Sequence, residues 1–250
     1  MTSKSFRANV TAASAASEPY RSDTAVRSGR RVARMVGACF LISNIVFILG
    51  AVVFLEPVLG AADVLGQVSA NRTPIILGAL LEILNAVAYL GIAVLMFPIF
   101  KRRYESLALG YVSFRILEFV MQILADLSPL ALITLGDAAV GSSPAEAASF
   151  QATSALLLAQ RAWAFQMISV TFGLGALLFY IMLYRSKLVP RFISVWGLVG
   201  AAVVLVNTLF DMFGLTLPNL GVIMLLNELF LALWLIVKGF DPSALVSETA

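Results

Sequence analysis

Six stretches of the chain are almost wholly apolar for about twenty residues or more, and each is bounded by charge, proline or glycine. A helix that rises about 1.5 Å per residue needs about 20 apolar residues to cross a hydrocarbon layer of about 30 Å. Each stretch therefore predicts one membrane span. The first runs from about Met35 to Leu55 and is closed by Glu56-Pro57, a charge followed by a residue that removes a backbone donor. A polar loop leads to Thr73. The second starts at Pro74, suited to a first helical turn, and continues to about Phe100, where it meets Lys101-Arg102-Arg103.

The third stretch covers about Ser106 to Thr134, its end loosened by Ser128-Pro129, and a loop from Gly136 to Phe150 follows with Asp137 and Glu146 and no basic residue. The fourth, from about Thr153 to Tyr184, is long enough to tilt, and it ends at Arg185 and Lys187. The fifth begins after Pro190-Arg191 and runs to about Phe210, with Asp211 at its far end. The sixth runs from about Pro218 to Val237, and Lys238-Gly239 supplies a cation in the last turn and then a helix-ending glycine.

The pattern thus predicts an all-α, polytopic six-helix membrane bundle over residues 34–240. Residues 1–33, rich in Ser, Ala and Arg without apolar periodicity, read as a disordered cytoplasmic tail, and residues 241–250 as a short acidic cytoplasmic tail. The amino-terminal composition also fits an organellar transit peptide. The first apolar run is too long for a signal-peptide core and reads as an uncleaved span. The second and third stretches, and the fourth and fifth, share a plan of long helix, short basic connection and long helix, with no common motif to mark a duplication.

Composition supports the same class. With 60% hydrophobic and 12% charged residues in 250, and a mean hydropathy of +0.95, the chain carries more apolar surface than a soluble fold of its size buries. The net charge of +3 is no sign of nucleic acid, because the basic residues sit beside apolar stretches instead of forming a stripe with interleaved aromatics. They set orientation. Arg27, Arg30, Arg31 and Arg34, the loop after the second stretch, Arg185, Lys187 and Arg191, and Lys238 all fall on one side, against Arg72 alone on the other. That places both termini in the cytoplasm, and Tyr104, Tyr184, Trp196, Trp234 and Phe240 fall where a cytoplasmic aromatic belt belongs.

The chain has no His and one Cys, Cys39, which removes zinc fingers, His-based triads, His-ligated haem and any intrachain disulfide. No metal and no cofactor are expected. The lysines, Lys4, Lys101, Lys187 and Lys238, all lie outside the expected bilayer centre, which excludes a Schiff-base retinal protein.

Chemistry is concentrated in the polar residues that interrupt the spans. A charge in hydrocarbon costs about 2.5 to 3.5 kcal/mol on insertion scales, so such residues face inward and find partners. On the third stretch Tyr111, Arg115, Glu118, Gln122 and Asp126 recur every three or four residues and form one polar helical face. Glu82, Asn85 and Tyr89 form a similar face on the second. The fourth adds Gln160 and Arg161, the fifth Asn207, and the sixth Asn227 and Glu228. Counted along the helices, Arg115, Glu118 and Glu228 fall near the midplane, with Glu82, Arg161 and Asn207 in the outer half.

These residues mark a candidate centre at Glu82, Arg115, Glu118, Arg161 and Glu228, supported by Asn85, Gln122, Asn207 and Asn227. Three carboxylates would face two guanidiniums and leave one negative charge in excess. In a low dielectric such a charge binds a proton or attracts a cation. Against this stands a plainer account, in which the Arg and Glu pairs only fix helix register, since Arg presents a rigid fork suited to carboxylates.

Weaker signals carry little. Gly173-Leu174-Gly175 lacks the third glycine of a dinucleotide fingerprint and lies inside a span, where it reads as small-residue packing, like Gly197, Gly200 and Ala201. Asp126 and Asp211 are two intramembrane aspartates without the tyrosine or glycine context of the intramembrane aspartyl proteases. Asp211 reads better as a solvated span end. Scattered Met and Phe read as packing or lipid-facing residues. No catalytic motif is present.

Three segments carry a resemblance. Arg115-Ile116-Leu117-Glu118, Leu188-Val189-Pro190-Arg191-Phe192-Ile193-Ser194-Val195-Trp196-Gly197, and Asn227-Glu228 followed by Ala232-Leu233-Trp234-Leu235-Ile236-Val237-Lys238-Gly239 resemble the bacterial membrane family catalogued as domain of unknown function 4386, over roughly residues 34 to 240. The resemblance implies a six-span, multi-pass protein of the bacterial inner (plasma) membrane and brings no activity or catalytic residue. Two functions remain open: a small-solute or proton-coupled transporter with an outward-opening cavity, or a non-transporting structural or stress-response module whose ion pairs hold the bundle. The bilayer is the expected partner in either case, and the oligomeric state is open.

Overall fold

A computed structural model describes residues 26–215, 217–218 and 220–249, with side chains through Leu245. The tail expected over residues 1–33 lies outside the described residues up to position 25, and from Val26 the chain is helical. Among the described residues the architecture is all-α, without strands. Helix α1 is Val26–Leu59 and α2 is Val64–Ala70. The next helical stretch, Arg72–Ala139, changes direction at Tyr104, whose φ of −131° and ψ of 45° are not helical; its limbs are α3 (72–103) and α4 (105–139). They are followed by α5 (Pro144–Ser186), α6 (Arg191–Met212), α7 (Gly221–Val237) and α8 (Pro242–Thr249).

Arg72 pairs with Asp137 at 3.2 Å and Gln122 with Glu82 at 3.0 Å. Both pairs straddle Tyr104 nearly symmetrically, so α3 and α4 form an antiparallel hairpin. The basic connection at 101–103 is therefore a bend in a helix, not a loop.

Four helical stretches are long and apolar enough to cross a membrane: Val26–Leu59, Arg72–Ala139, Pro144–Ser186 and Arg191–Met212; α7 is shorter. The distribution of residues is inverted relative to a water-soluble protein. Ile42, Ile45, Val52, Leu80, Leu84, Val94, Leu109, Leu127 and Leu233 are exposed, whereas Glu82, Arg115, Glu118, Asp126, Arg161 and Glu228 are buried. Apolar surface turned outward around a charged interior belongs to a membrane protein.

Several boundaries depart from the sequence reading for local reasons. Ile48–Leu55 of α1 is wound as π-helix, and there α1 comes backbone to backbone against α3. A Cβ on Gly50 would lie 2.9 Å from the Gly78 carbonyl oxygen, and one on Gly78 would lie 2.6 Å from Leu55 Cγ. The segment expected as a polar loop before Thr73 contains α2, capped by Asp63, whose carboxylate accepts from the Gly66 N–H at 3.1 Å. Val68 of α2 is fully buried in a cluster with Ile75, Leu132 and Ile133.

Helix α5 starts at Pro144, not near Thr153, because Ser143 and Glu146 form a reciprocal capping box with proline in the first turn. Bonds from the Ser143 N–H and hydroxyl to the Glu146 carboxylate hold its pKa below the ordinary value. Helix α4 runs through Pro129 to Ala139 without ending.

Helix α7 begins at Gly221 and not at Pro218. Its first turns lie beside the middle of α6, with the Ile223 carbonyl 3.1 Å from Trp196 Nε1 and Met224 packed on Gly200. Pro218 lies back beside α6, where its carbonyl accepts from Asn207 Nδ2 at 2.9 Å. The expected short tail contains α8, whose Leu245 packs against Gly29 of α1.

Candidate functional site

The buried charges gather in two groups about Arg161 and Arg115. The stripe on α4 and the stripe on α3 face one another across the hairpin, and α5 brings Arg161 between them. Arg161 Nη2 lies 2.8 Å from both oxygens of Glu82, and Nη1 lies 3.1 Å from Asp126 Oδ1 and 3.3 Å from the Ala125 carbonyl. Gln122 Nε2 then donates to Glu82 Oε2 at 3.0 Å and to Asp126 Oδ2 at 3.1 Å. The guanidinium also lies 4.7 Å from the centre of the Phe165 ring. Both terminal nitrogens of this cation are thus bonded to protein acceptors.

Arg115 is held differently. Its Nη1 bonds Glu118 Oε2 at 2.6 Å, one turn along α4. Its remaining surface is covered by rings: the guanidinium carbon is 4.5 Å from the centre of Tyr89, 5.0 Å from Phe172 and 5.4 Å from Tyr111. Its Nε has no acceptor. Tyr89, stacked on this cation, donates its hydroxyl to Glu228 Oε2 of α7 at 2.6 Å, while Glu228 Oε1 has no partner.

A cavity of about 540 Å³ opens beside this second group. Its polar wall includes Ser43, Asn44, Asn85, Tyr89, Glu118, Gln122 and Glu228, and its apolar wall Phe47, Phe172, Val222 and Leu225. The Ser43 hydroxyl and the Asn85 side-chain carbonyl are, like Glu228 Oε1, buried without a partner. Below the cavity, nearer the basic helix ends, Phe40, Tyr111, Phe179 and Tyr180 form a floor of rings with centroids 5.2 to 6.0 Å apart. These rings are no more than 1% exposed. On the far side of the Arg161 group lies a second cavity of about 400 Å³, lined by Leu55, Glu56, Glu82, Arg161 and Phe165 among others; Phe165 borders both cavities.

The structure thus brings together Glu82 with Arg161, and Arg115 with Glu118 beside Glu228, with Gln122 touching both groups. It does not bring all five into one contact network. The expected sum of three carboxylates against two guanidiniums also changes, because Asp126 joins Arg161. Each guanidinium faces two carboxylates.

Asn85 and Gln122 stand at the cavity as supporting residues, whereas Asn207 and Asn227 do not: Asn207 bonds the Pro218 carbonyl and Asn227 Nδ2 donates to the Ile193 carbonyl at 3.0 Å. Asp211 accepts from Gln166 at an exposed position, away from Asp126. Besides Asp126, two contributors were absent from the expected centre. Tyr89 carries Glu228, and Ser43-Asn44 of α1 lines the cavity. Both left a trace in the sequence, since Tyr89 follows Asn85 by one turn and Ser43-Asn44 is the one hydrogen-bonding dipeptide of its stretch. Among the described residues no cluster of His, Cys, Asp and Glu is arranged to hold a metal ion.

The small residues pack as expected. A Cβ on Gly173 would lie 3.2 Å from Leu205 Cβ, and one on Gly175 would lie 3.3 Å from Phe114 Cβ. Gly197 is the tightest, since a Cβ there would fall 2.2 Å from the Tyr180 ring.

A family model described as a domain of unknown function, DUF4386, matches residues 35–239. No curated protein and no solved structure matches the chain.

Proposed function

The chain belongs to the DUF4386 family, and from that premise we propose that it is a six-span membrane protein whose central cavity binds a small organic cation, with Glu228 as the anionic anchor. The spans in this reading are α1, α3, α4, α5, α6 and α7. Both ends of the chain lie on the cytoplasmic side of an inner membrane, the side to which the basic residues point.

One observation carries the reading: the Glu228 carboxylate stands on the wall of a 540 Å³ cavity, bonded on one oxygen to a tyrosine hydroxyl and on the other to nothing. Arg115 is committed to Glu118, so the cavity carries an excess of negative charge. A carboxylate in such a medium takes up a proton or a cation. The apolar remainder of the wall suits the body of an organic ligand, in a volume typical of small-molecule sites. Exchange of proton for cation at Glu228 is the elementary step of a proton-coupled transporter, and that is the function assigned.

A second reading, a non-transporting module held by its ion pairs, draws on the other group, because both terminal nitrogens of Arg161 are bonded to protein acceptors.

The test uses the full chain in lipid nanodiscs, melted in the presence of alkylammonium ions or neutral alcohols of equal length. A ligand at a hundredfold its Kd stabilises by about 2.7 kcal/mol. The ammonium ions are expected to raise Tm and the alcohols not; Glu228→Gln is expected to fold with unchanged Tm and lose the response. Equal responses to alcohol, or a response that survives Glu228→Gln, would overturn the assignment. Proton-driven uptake of the same ions into vesicles then separates transport from binding alone.

A further inference from the structure

A different pocket lies at the basic ends of the helices, where α5, α6 and α7 meet. It measures about 440 Å³ and is lined by residues 187–191, Trp234 and 238–242. Three cations stand around it: Lys187, Arg191 and Lys238, from three different turns.

Local backbone geometry fixes their convergence. Lys187 takes the left-handed conformation, with a φ of 58°, as the C-cap of α5, and Gly239 does the same after α7 with a φ of 77°. Two reversed residues thus set the flanks of the pocket, and the Asp241 N–H donates to the Leu188 carbonyl at 2.9 Å to join them. The N-terminal turn of α6 follows at Pro190 and Arg191, at the same end. The one carboxylate in the wall, Asp241, is turned to the N–H and hydroxyl of Ser243. The pocket therefore keeps a net positive charge.

Its surroundings are apolar and exposed. Trp234 forms its wall and stacks on Phe230 at 6.3 Å, and Phe230 meets Phe192 at 5.8 Å. This aromatic rib on α6 and α7 is flanked by Val195, Leu233 and Val237, each about half exposed or more. A cationic pocket opening onto an apolar helix face matches a ligand with an anionic head and hydrocarbon tails.

We infer that this pocket binds the phosphate of an anionic phospholipid from the cytoplasmic leaflet, with Lys187, Arg191 and Lys238 on the headgroup and the chains along the Phe192–Phe230–Trp234 rib. The inference rests on the membrane orientation proposed above but not on any ligand in the central cavity, so either stands if the other fails. Basic pockets between spans on that side favour anionic headgroups, and each cation near the surface strengthens the attraction.

Native mass spectrometry of the full chain in neutral detergent, titrated with phosphatidylglycerol or phosphatidylcholine, provides the test. One phosphatidylglycerol is expected to be retained at least about tenfold more tightly than phosphatidylcholine. Lys187→Gln/Arg191→Gln/Lys238→Gln should abolish that preference, while Lys187→Arg/Lys238→Arg keeps it. A Lys101→Gln/Arg102→Gln/Arg103→Gln variant, of equal charge loss on the same face, should keep it as well and so excludes a bulk charge effect. Equal retention of the two lipids, or loss in the 101–103 variant as in the pocket variant, overturns the site. Displacement of the lipid by millimolar inorganic phosphate would reassign it to a free anion and overturn the lipid.

Discussion

Two arginines lie buried in the same bundle, on adjacent helices, and they are treated in opposite ways. Arg161 meets four acceptor contacts from Glu82, Asp126 and the Ala125 carbonyl, and Gln122 ties those carboxylates to each other. Arg115 has one carboxylate bond, three aromatic rings and an unfilled Nε, and a cavity runs beside its partners. A buried ion pair with both terminal nitrogens bonded to protein favours structure, because a ligand there would have to displace bonds already made. A pair whose carboxylate borders an open volume, and whose guanidinium leaves Nε without an acceptor, is better placed for exchange. The choice between a structural network and a ligand site is therefore not one choice for the whole protein but one for each arginine.

The largest effect that separates them is expected from Arg161→Ala, which leaves Glu82 and Asp126 buried without their cation and should cost about 3–5 kcal/mol in denaturant unfolding. Arg115→Ala should cost less, roughly 1.5–3 kcal/mol for the lost charged hydrogen bond, since Glu118 borders the cavity. Equal losses for the two would erase the contrast. Gly197→Ala should cost about 1–3 kcal/mol, because its Cβ must push Tyr180 into the ring floor beneath Arg115; that variant should also perturb ammonium binding, whereas an equally destabilising change at the outer Arg161 group should not.

Smaller still is the expected effect of Arg115→Met/Glu118→Leu. Replacing both members of a buried pair by apolar groups is often neutral for stability, so Tm should hold in the melting assay while the electrostatics of the cavity change. A large loss of Tm would show that Arg115, too, is structural.

The smallest effect lies outside the spans, at the Ser143–Glu146 box. The Glu146 carboxylate is held below its ordinary value of 4.5 by Ser143, so its contribution is present above that pH and is lost as pH falls through the depressed value. Amide exchange in the first turn of α5 should rise over that acidic window alone, and Ser143→Ala should remove the pH dependence.

Much of the bundle was legible because a membrane filters sequences by one property. Apolar length located the helical stretches long and apolar enough to cross a membrane, and the repeats at Arg115, Glu118, Gln122 and Asp126 marked the buried face of α4. Other features needed a partner. Nothing in residues 48–55 distinguishes a π-helix from an α-helix, since the winding is set by the close approach of Gly50 and Gly78. The separation into two charged groups was illegible for a similar reason. Depth along a helix is countable, but the pairing of Arg161 with Glu82 and Asp126 depends on which way α5 is rotated.

The start of α5 was readable and was missed, since Ser143-Pro144-Ala145-Glu146 is a capping signature that the surrounding polarity made look like loop.

The short helix α7 has a consequence for how the protein is made. Seventeen residues that include Asn227 and Glu228 form a poor insertion signal on their own, because a charge near a helix centre offsets several leucines. The partners that compensate are Tyr89 of α3 for Glu228 and the Ile193 carbonyl of α6 for Asn227. Both are synthesised earlier. Helix α7 is thus made after the helices that carry its hydrogen-bond partners, and its docking against them is the step at which translation and folding become one event.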